Sequence, residues 1–195
     1  VGDYIDRMVE PGSIVGFHAP YADEDSFTNA LIERGGMAAQ GDTRDSLALM
    51  VKELVKERSV VNHFIAELRD VQVQKDPMRF RRNLARIGEV MAVEISRTLE
   101  FKETEVVTPL GVARTDLMAE QPVLATILRA GLAMHQGFMN YFDRADSAFV
   151  SAYRKHRKGE DAFEIEVEYM SSPSLEGRVV VLCDPMLASG RSMVL

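Results

Sequence analysis

From residue 122 onward, short apolar runs alternate with amphipathic segments. PVLATIL at 122–128 is almost continuously apolar, as in a strand covered on both faces, and LAMHQGFMNYF at 132–142 follows as a helix. SAFVSAY at 147–153 and RVVVLCD at 178–184 have the composition of further strands. FEIEVEYM at 163–170 alternates strictly between apolar and acidic residues, which predicts a half-exposed edge strand. Strands alternating with helices predict an α/β fold with an open, mostly parallel sheet flanked by helices.

A long amphipathic helix is predicted upstream of these strands. Asp76 is a suitable N-cap and Pro77 a suitable first helical residue. Apolar residues then recur at spacings of three and four, namely Phe80, Leu84, Ile87, Met91, Ile95 and Leu99. This pattern places one face of the helix against a core.

A domain boundary is predicted near residue 58. Residues 1–57 contain short strand-like segments and one helical pattern, too few core positions for a stable domain. We interpret 1–57 as an α/β-like segment, the tail of a fused domain, and 58–195 as the main domain.

Charge and cysteine content narrow the classes of function. A net charge of -7 argues against a nucleic-acid-binding surface, which needs a basic patch. The single cysteine, Cys183, permits no intrachain disulfide and is expected to be a small core residue. No apolar run is long enough for a membrane helix, and no signal peptide is visible, so the expected location is the cytoplasm.

Candidate chemistry lies at the ends of the predicted strands. Arg129, Arg154 and Asp184 each follow an apolar strand, and ligands of open α/β sheets bind beyond the carboxyl ends of the strands. The small residues at 188–190 would let backbone N–H groups converge on a phosphate, to which Ser189 and Ser192 would add hydroxyl donors. Asp184 would repel that phosphate, and its carboxylate is suited to accepting hydrogen bonds from sugar hydroxyls.

The residues alone leave other interpretations of this segment open. A strand, turn and helix can have this composition without a ligand, and each arginine could pair with a local carboxylate. Neither a nucleoside-triphosphatase P-loop nor a dinucleotide G-x-G-x-x-G fingerprint occurs in the sequence. Two arginines beside a phosphosugar loop favour a second anionic group such as pyrophosphate.

Several of these segments resemble one family. DPMLASGRS at 184–192 resembles the DPMLATGGS loop of uracil phosphoribosyltransferases, TILRAGLAM at 126–134 resembles their PILRAGLGM, and AYRK at 152–155 resembles their YR pair. The helix at 80–99 and ETEVVTPLG at 103–111 resemble the family's N-terminal helix and the start of its flexible β hood. The resemblance extends from about Val60 to Leu195 and implies the type I phosphoribosyltransferase fold.

The resemblance implies an enzyme of pyrimidine salvage. It would transfer ribose 5-phosphate from phosphoribosyl pyrophosphate, hereafter the donor, to N1 of uracil and so form UMP and pyrophosphate. Mg²⁺ would arrive on the donor's oxygens, GTP is a candidate allosteric activator, and a homo-oligomer, a dimer or higher, is expected. No nucleic acid or membrane partner is implied.

The site residues implied by the resemblance fall into three groups. Asp184 would be the catalytic residue and hold the ribose hydroxyls. Arg129 and Arg154, helped by Ala130 and Gly131, would hold the pyrophosphate. The loop after Asp184 would hold the 5′-phosphate; it consists of Pro185, Met186, Leu187, Ala188, Ser189, Gly190, Arg191 and Ser192.

Two departures from the family pattern qualify the expectation. Arg191 stands where the family usually has glycine, and the Gly- and Pro-rich segment with which the family recognises uracil is not found. The sequence therefore suggests a truncated chain that binds the donor without a complete base site and is inactive as it stands. Two alternatives remain: a regulatory protein of the same fold that binds the donor or nucleotides without turnover, and a transferase for another base such as hypoxanthine or orotate. The family resemblance disfavours the second, because those enzymes have two adjacent acidic residues where this chain has Asp184 and Pro185.

Overall fold

A computed structural model describes residues 54–156 and 163–185, and the side chains of all these residues except 152–156 and 163–168. Residues 1–53 therefore lie outside the described part, and the predicted domain boundary near residue 58 stays a prediction. Leu54, in the short 3-10 helix Leu54–Lys56, is buried in the same hydrophobic core as the helices that follow it.

A four-stranded sheet forms the centre of the described fold. Its strands are β3 (Val123–Leu128), β4 (Asp146–His156), β5 (Phe163–Ser171) and β6 (Val180–Cys183), in the order β5-β4-β3-β6. β3 is parallel to both β4 and β6, whereas β5 pairs antiparallel with β4. The sheet is thus mostly parallel, and the alternating segment is an edge strand, as the sequence predicts.

The described residues also form three α-helices, α1 (Val61–Arg69), α2 (Pro77–Ser96) and α3 (Leu132–Met139). A second 3-10 helix, Val73–Lys75, separates α1 from α2. The predicted N-cap of α2 is confirmed, because the Asp76 carboxylate accepts hydrogen bonds from the N–H groups of Met78 at 2.9 Å and Arg79 at 3.1 Å. Leu99, predicted on this helix, follows its end and packs against the core.

The main core lies between the helices and one face of the sheet. Leu124 of β3 and Val181 of β6 share it with buried residues of all three helices. Val123, on the opposite face because strand side chains alternate, packs in a smaller cluster with Ala148 and Leu175.

Close packing of α2 against α3 fixes the position of α3. A Cβ atom on Gly137 would overlap the Ala85 carbonyl oxygen, and one on Gly88 would lie 2.5 Å from the Met134 carbonyl oxygen. Glycine at both positions lets the two helix backbones approach. Asn140, just after α3, donates a hydrogen bond to Glu89 of α2 at 2.7 Å. These contacts, which run from Met134 to Asn140, fix α3 against α2.

The predicted hood is an antiparallel hairpin of β1 (Phe101–Thr108) and β2 (Gly111–Met118). Nearly all of its side chains are exposed, including Val107, Leu110 and Val112. None of the helices within residues 54–156 and 163–185 has the length and apolar content needed to cross a membrane.

Candidate functional site

The carboxyl ends of two neighbouring parallel strands bring the candidate residues together. Thr126 of β3 pairs with Cys183, the last residue of β6. Asp184 directly follows Cys183, and Arg129 directly follows Leu128, the last residue of β3. Because the strands are parallel and adjacent, the structure places Arg129 and Asp184 at the same edge of the sheet, as predicted.

The loop from β3 to α3 is a tight turn of three residues, Arg129, Ala130 and Gly131. The N–H group of Gly131 donates to the Ile127 carbonyl at 3.2 Å, and the N–H group of Leu132 donates to the Arg129 carbonyl at 3.3 Å. The peptide bond between Leu128 and Arg129 is cis. Arg129 and Ala130 are exposed, so the guanidinium and the backbone of these two residues are accessible to an anion.

Gly131, in contrast, is buried against the ends of both strands. A Cβ atom at this position would overlap the Thr126 hydroxyl oxygen and lie 2.7 Å from the Cys183 carbonyl oxygen. The Thr126 hydroxyl in turn donates a buried hydrogen bond of 2.8 Å to that same carbonyl. The loop is therefore in direct contact with the strand end that carries Asp184.

Asp184 and Pro185 are half-buried at the end of β6. The residue before them, Cys183, is 1% exposed, and burial, with a smaller contribution from the Asp184 carboxylate, raises the pKa of its thiol far above the ordinary range. A thiol held in its neutral form is a poor nucleophile. This agrees with the prediction that Cys183 is a core residue.

Arg154 lies farther from the sheet edge than the sequence suggests. β4 continues to His156, so Arg154 is within the strand and not just after it, and it pairs with Ile165 of β5. Leu128, the end of β3, pairs with Ser151, three residues before Arg154. At roughly 3.3 Å per residue, Arg154 lies about 10 Å farther along the strand direction, on a two-stranded ribbon beyond the sheet. Its proposed contact with pyrophosphate stays a prediction.

His135 of α3 is a second buried polar group close to the loop. Its backbone N–H donates to the Gly131 carbonyl at 2.8 Å, and its ring lies 5.2 Å from that of Phe149 between centroids. Burial lowers the pKa of the imidazole, which a hydrogen bond with the Leu124 backbone partly offsets. Its Nε2 atom has no hydrogen-bond partner among the described residues. The neutral ring is therefore part of the packing between α3 and the sheet.

The predicted phosphate loop lies outside the described residues. This applies to Met186, Leu187, Ala188, Ser189, Gly190, Arg191 and Ser192, whose roles stay predictions. The described half of the site comprises Arg129, Ala130, Gly131, Asp184 and Pro185. Sequence reasoning missed Thr126, although a hydroxyl within an otherwise apolar strand was the signal that could have identified it.

Comparison with known proteins identifies the family that this chain is similar to. The sequence model of the family described as uracil phosphoribosyltransferase matches residues 55–195. A Porphyromonas gingivalis protein named uracil phosphoribosyltransferase is 51% identical over 145 residues, which are 74% of this chain and 67% of that protein. A Methanothermobacter thermautotrophicus protein of the same name is 38% identical over 121 residues, 61% of this chain and 55% of that protein.

A solved structure of an Aquifex aeolicus protein is similar in fold. It has a TM-score of 0.59 and 27% sequence identity, over 70% of this chain and 64% of that chain. The chain thus spans between about half and two thirds of the length of the relatives it matches.

Proposed function

The chain belongs to the uracil phosphoribosyltransferase family, and we propose that it takes part in transfer of ribose 5-phosphate from the donor to uracil. Membership confirms the family, the fold class and the enzyme class predicted from the sequence. The observation that carries the proposal is the placement of Arg129 and Asp184 at one sheet edge, joined through the buried contacts of Gly131.

The described residues divide the work of holding the donor. The Arg129 guanidinium offers charged donors to the pyrophosphate, and the exposed backbone of Arg129 and Ala130 lies beside it. Asp184 accepts hydrogen bonds from the ribose hydroxyls, which orients C1′ and places negative charge near it. The bond from C1′ to the pyrophosphate oxygen breaks, a bond from C1′ to N1 of uracil forms, and N1 loses its proton. The residues contribute positioning and electrostatic stabilisation of a cation-like C1′.

We assign Mg²⁺ to the donor's own oxygens. Within residues 54–156 and 163–185, no three His, Cys, Asp or Glu side chains lie together in a way that could hold a metal ion. Mg²⁺ commonly keeps several waters and binds through substrate phosphates, so an accessible edge with one carboxylate suits a donor that carries its metal. When bound, the ion neutralises pyrophosphate charge.

The remaining expectations belong to the same proposal. A cytoplasmic location fits a chain with one cysteine, since its thiol would stay reduced there. A homo-oligomer is supported by the exposed apolar side chains of the β1–β2 hairpin, which a partner could cover. Activation by GTP is tested by measuring UMP formation with and without this nucleotide.

Calorimetric titration with the donor and Mg²⁺ tests the site. We expect saturable binding, weakened about 10-fold or more by Asp184→Asn or Arg129→Gln because each removes a charged hydrogen-bonding group. Asp143→Asn and Arg144→Gln are matched controls, because these exposed residues precede β4 at the opposite end of the sheet. Folded protein that binds no donor, or that responds equally to controls and site variants, would refute the assignment.

Turnover separates the enzyme from a regulatory protein of the same fold. Pyrophosphate release on adding uracil to the intact protein with its donor identifies a transferase. Binding of the donor without release under the same conditions supports either the regulatory alternative or a chain without a complete base site. Orotate and hypoxanthine in place of uracil should give no release, and release with either would reassign the base.

A further inference from the structure

Thr126 is a polar residue in the interior of the fold. It lies in the central strand β3 and is 0% exposed. Its hydroxyl donates a 2.8 Å hydrogen bond to the carbonyl oxygen of Cys183 on β6. A buried hydroxyl needs a partner to offset its desolvation, and here the partner is the last carbonyl before Asp184.

That hydrogen bond restrains the peptide unit on which Asp184 is mounted. The Cys183 carbonyl belongs to the planar peptide group that joins Cys183 to Asp184. Fixing the direction of its oxygen fixes the orientation of the whole unit, including the N–H group of Asp184. The Thr126 hydroxyl therefore acts on the backbone that sets where the carboxylate begins.

The same hydroxyl also contacts the pyrophosphate side of the site. A Cβ atom added to Gly131 would overlap the Thr126 oxygen, so the Gly131 backbone rests directly on it. The Gly131 N–H group is itself held by the Ile127 carbonyl at 3.2 Å. One oxygen atom thus touches the strand end that carries Asp184 and the loop that carries Arg129.

We infer that Thr126 is a positioning residue whose hydroxyl sets the separation between the Arg129–Gly131 loop and Asp184. The inference rests on the proposed function, in which the loop holds pyrophosphate and Asp184 holds ribose. It concerns a residue that touches neither group. The Thr126 hydroxyl affects how well one ligand can contact the Arg129–Gly131 loop and Asp184 at the same time.

A ligand that spans both halves is sensitive to their separation, whereas a ligand confined to one half is not. The donor gains from two preorganised half-sites, because binding one end places the other end correctly. Pyrophosphate alone and ribose 5-phosphate alone each fill one half. Loosening the junction should therefore weaken the donor much more than either fragment.

The experiment measures three ligands on three proteins by calorimetry in the presence of Mg²⁺. The ligands are the donor, pyrophosphate and ribose 5-phosphate, and the proteins are the unchanged chain, Thr126→Val and Thr126→Ser. Valine keeps the shape and removes the hydroxyl, while serine keeps the hydroxyl. We expect Thr126→Val to weaken binding of the donor about 10- to 100-fold, the size of losing one hydrogen bond to a charged ligand, and to change binding of each fragment less than about 3-fold. Thr126→Ser should restore binding of the donor to within about 3-fold.

A matched control separates positioning from general loss of stability. Ser147 of β4 also donates from its hydroxyl within the fold, to the Met139 sulfur at 3.8 Å. It is the second residue of β4 and lies at the end of the strand away from the candidate site. Ser147→Ala should leave the ratio of donor to fragment affinities unchanged. If Thr126→Val does not fold, Thr126→Ala is compared with Thr126→Ser, since that pair differs in the hydroxyl alone.

The outcomes distinguish this inference from the function on which it rests. If the unchanged protein binds no donor, the proposed function fails and the inference fails with it. If the unchanged protein binds the donor and Thr126→Val binds it equally, or loses donor and fragments in equal proportion, the inference alone is wrong. A folded Thr126→Ser variant that loses the donor selectively would also contradict it.

Discussion

The β1–β2 hairpin and the carboxyl ends of β3 and β6, which we call the β3–β6 edge, both have paired backbones. They differ in whether their side chains are buried. Every residue of β1 pairs with one of β2, yet almost all side chains of the hairpin are exposed. Its described ion pair, Arg114 with Glu105 at 3.3 Å, is exposed on both sides. At the β3–β6 edge, Thr126, Gly131 and Cys183 are buried and touch one another.

The shape of the hairpin therefore depends on backbone hydrogen bonds, whereas the shape of the β3–β6 edge depends also on contacts between buried atoms. In the hairpin, exposed side chains can be exchanged with little effect on the fold, because exposed pairs contribute little. At the β3–β6 edge, the Gly131 backbone contacts the Thr126 hydroxyl and the Cys183 carbonyl, so an atom added at Gly131 must move the loop. The site is built on the second kind of structure.

Gly131→Ala should break the edge and have the largest effect. The added Cβ would overlap the Thr126 oxygen and approach the Cys183 carbonyl oxygen to 2.7 Å, and that carbonyl belongs to the backbone and cannot rotate away. The loop must therefore shift, and losing one hydrogen bond to a charged ligand corresponds to roughly a 10-fold weaker affinity or more. Titration with the donor and Mg²⁺ should show at least that loss.

Gly111→Ala is the matched control in the hairpin. Gly111 has a φ of 131°, which disfavours alanine, but a Cβ there would have no neighbour within 4 Å. The hairpin turn should be strained while affinity for the donor stays within about 3-fold of the unchanged protein, a factor that corresponds to well under 1.4 kcal/mol. Equal losses for the two alanines would show that the edge has no special rigidity.

Gly137→Ala tests whether the packing of α3 against α2 also depends on close contact between the two backbones. Its Cβ would overlap the Ala85 carbonyl oxygen of α2 and lie 3.0 Å from the Glu89 nitrogen. Overpacking of this kind costs about 1–3 kcal/mol, less the gain of about 1 kcal/mol from alanine's helix propensity. Urea unfolding should show a lower midpoint, whereas Gln136→Ala on the exposed side of α3 should not. An unchanged midpoint for Gly137→Ala would mean that the helices separate freely.

The sequence predicts what repeats along the chain and what resembles a family. The alternation of 163–170 identified an edge strand, Asp76 identified the start of α2, and TILRAGLAM with DPMLASGRS identified the family. Periodicity and capping are local, so they can be recognised without knowing what lies opposite.

Features that depend on two distant segments could not be predicted in this way. The contact of Gly131 with Cys183 joins residues far apart in sequence, and no local pattern encodes the register that brings them together. The length of β4 was missed for the same reason, because Arg154 is held in the strand by pairing with β5. A polar residue such as Arg154 indicates the end of a strand only where no neighbouring strand pairs with it.

The buried His135 side chain should make the free energy of unfolding depend on pH. Burial lowers the pKa of its imidazole in the folded protein, so the unfolded chain binds the proton more readily. Stability is therefore full above the ordinary histidine pKa of about 6.5 and decreases as pH falls below it towards the folded pKa, by at most about 1.4 kcal/mol per pH unit.

Urea unfolding at pH 7.5, 6.5 and 5.5 measures this effect, with His135→Gln compared with His63→Gln. His63 is exposed on α1 and serves as the control for loss of one histidine side chain, whereas replacing His135 should reduce the pH dependence of stability. If the two variants respond alike to pH, another group is responsible.

Leu110→Ser should have the smallest effect and tests the hairpin side of the comparison. Leu110 is 100% exposed at the turn between β1 and β2, so the substitution removes no buried contact of the described fold. The free energy of unfolding should change by less than about 0.5 kcal/mol, as measured by urea unfolding at low protein concentration. Leu124→Ala, in the core beside the site, should cost about 2–5 kcal/mol in the same assay. A loss above about 1 kcal/mol for Leu110→Ser would mean that the exposed hairpin is covered in solution, and if that loss grew with protein concentration, the cover would be another copy of the chain.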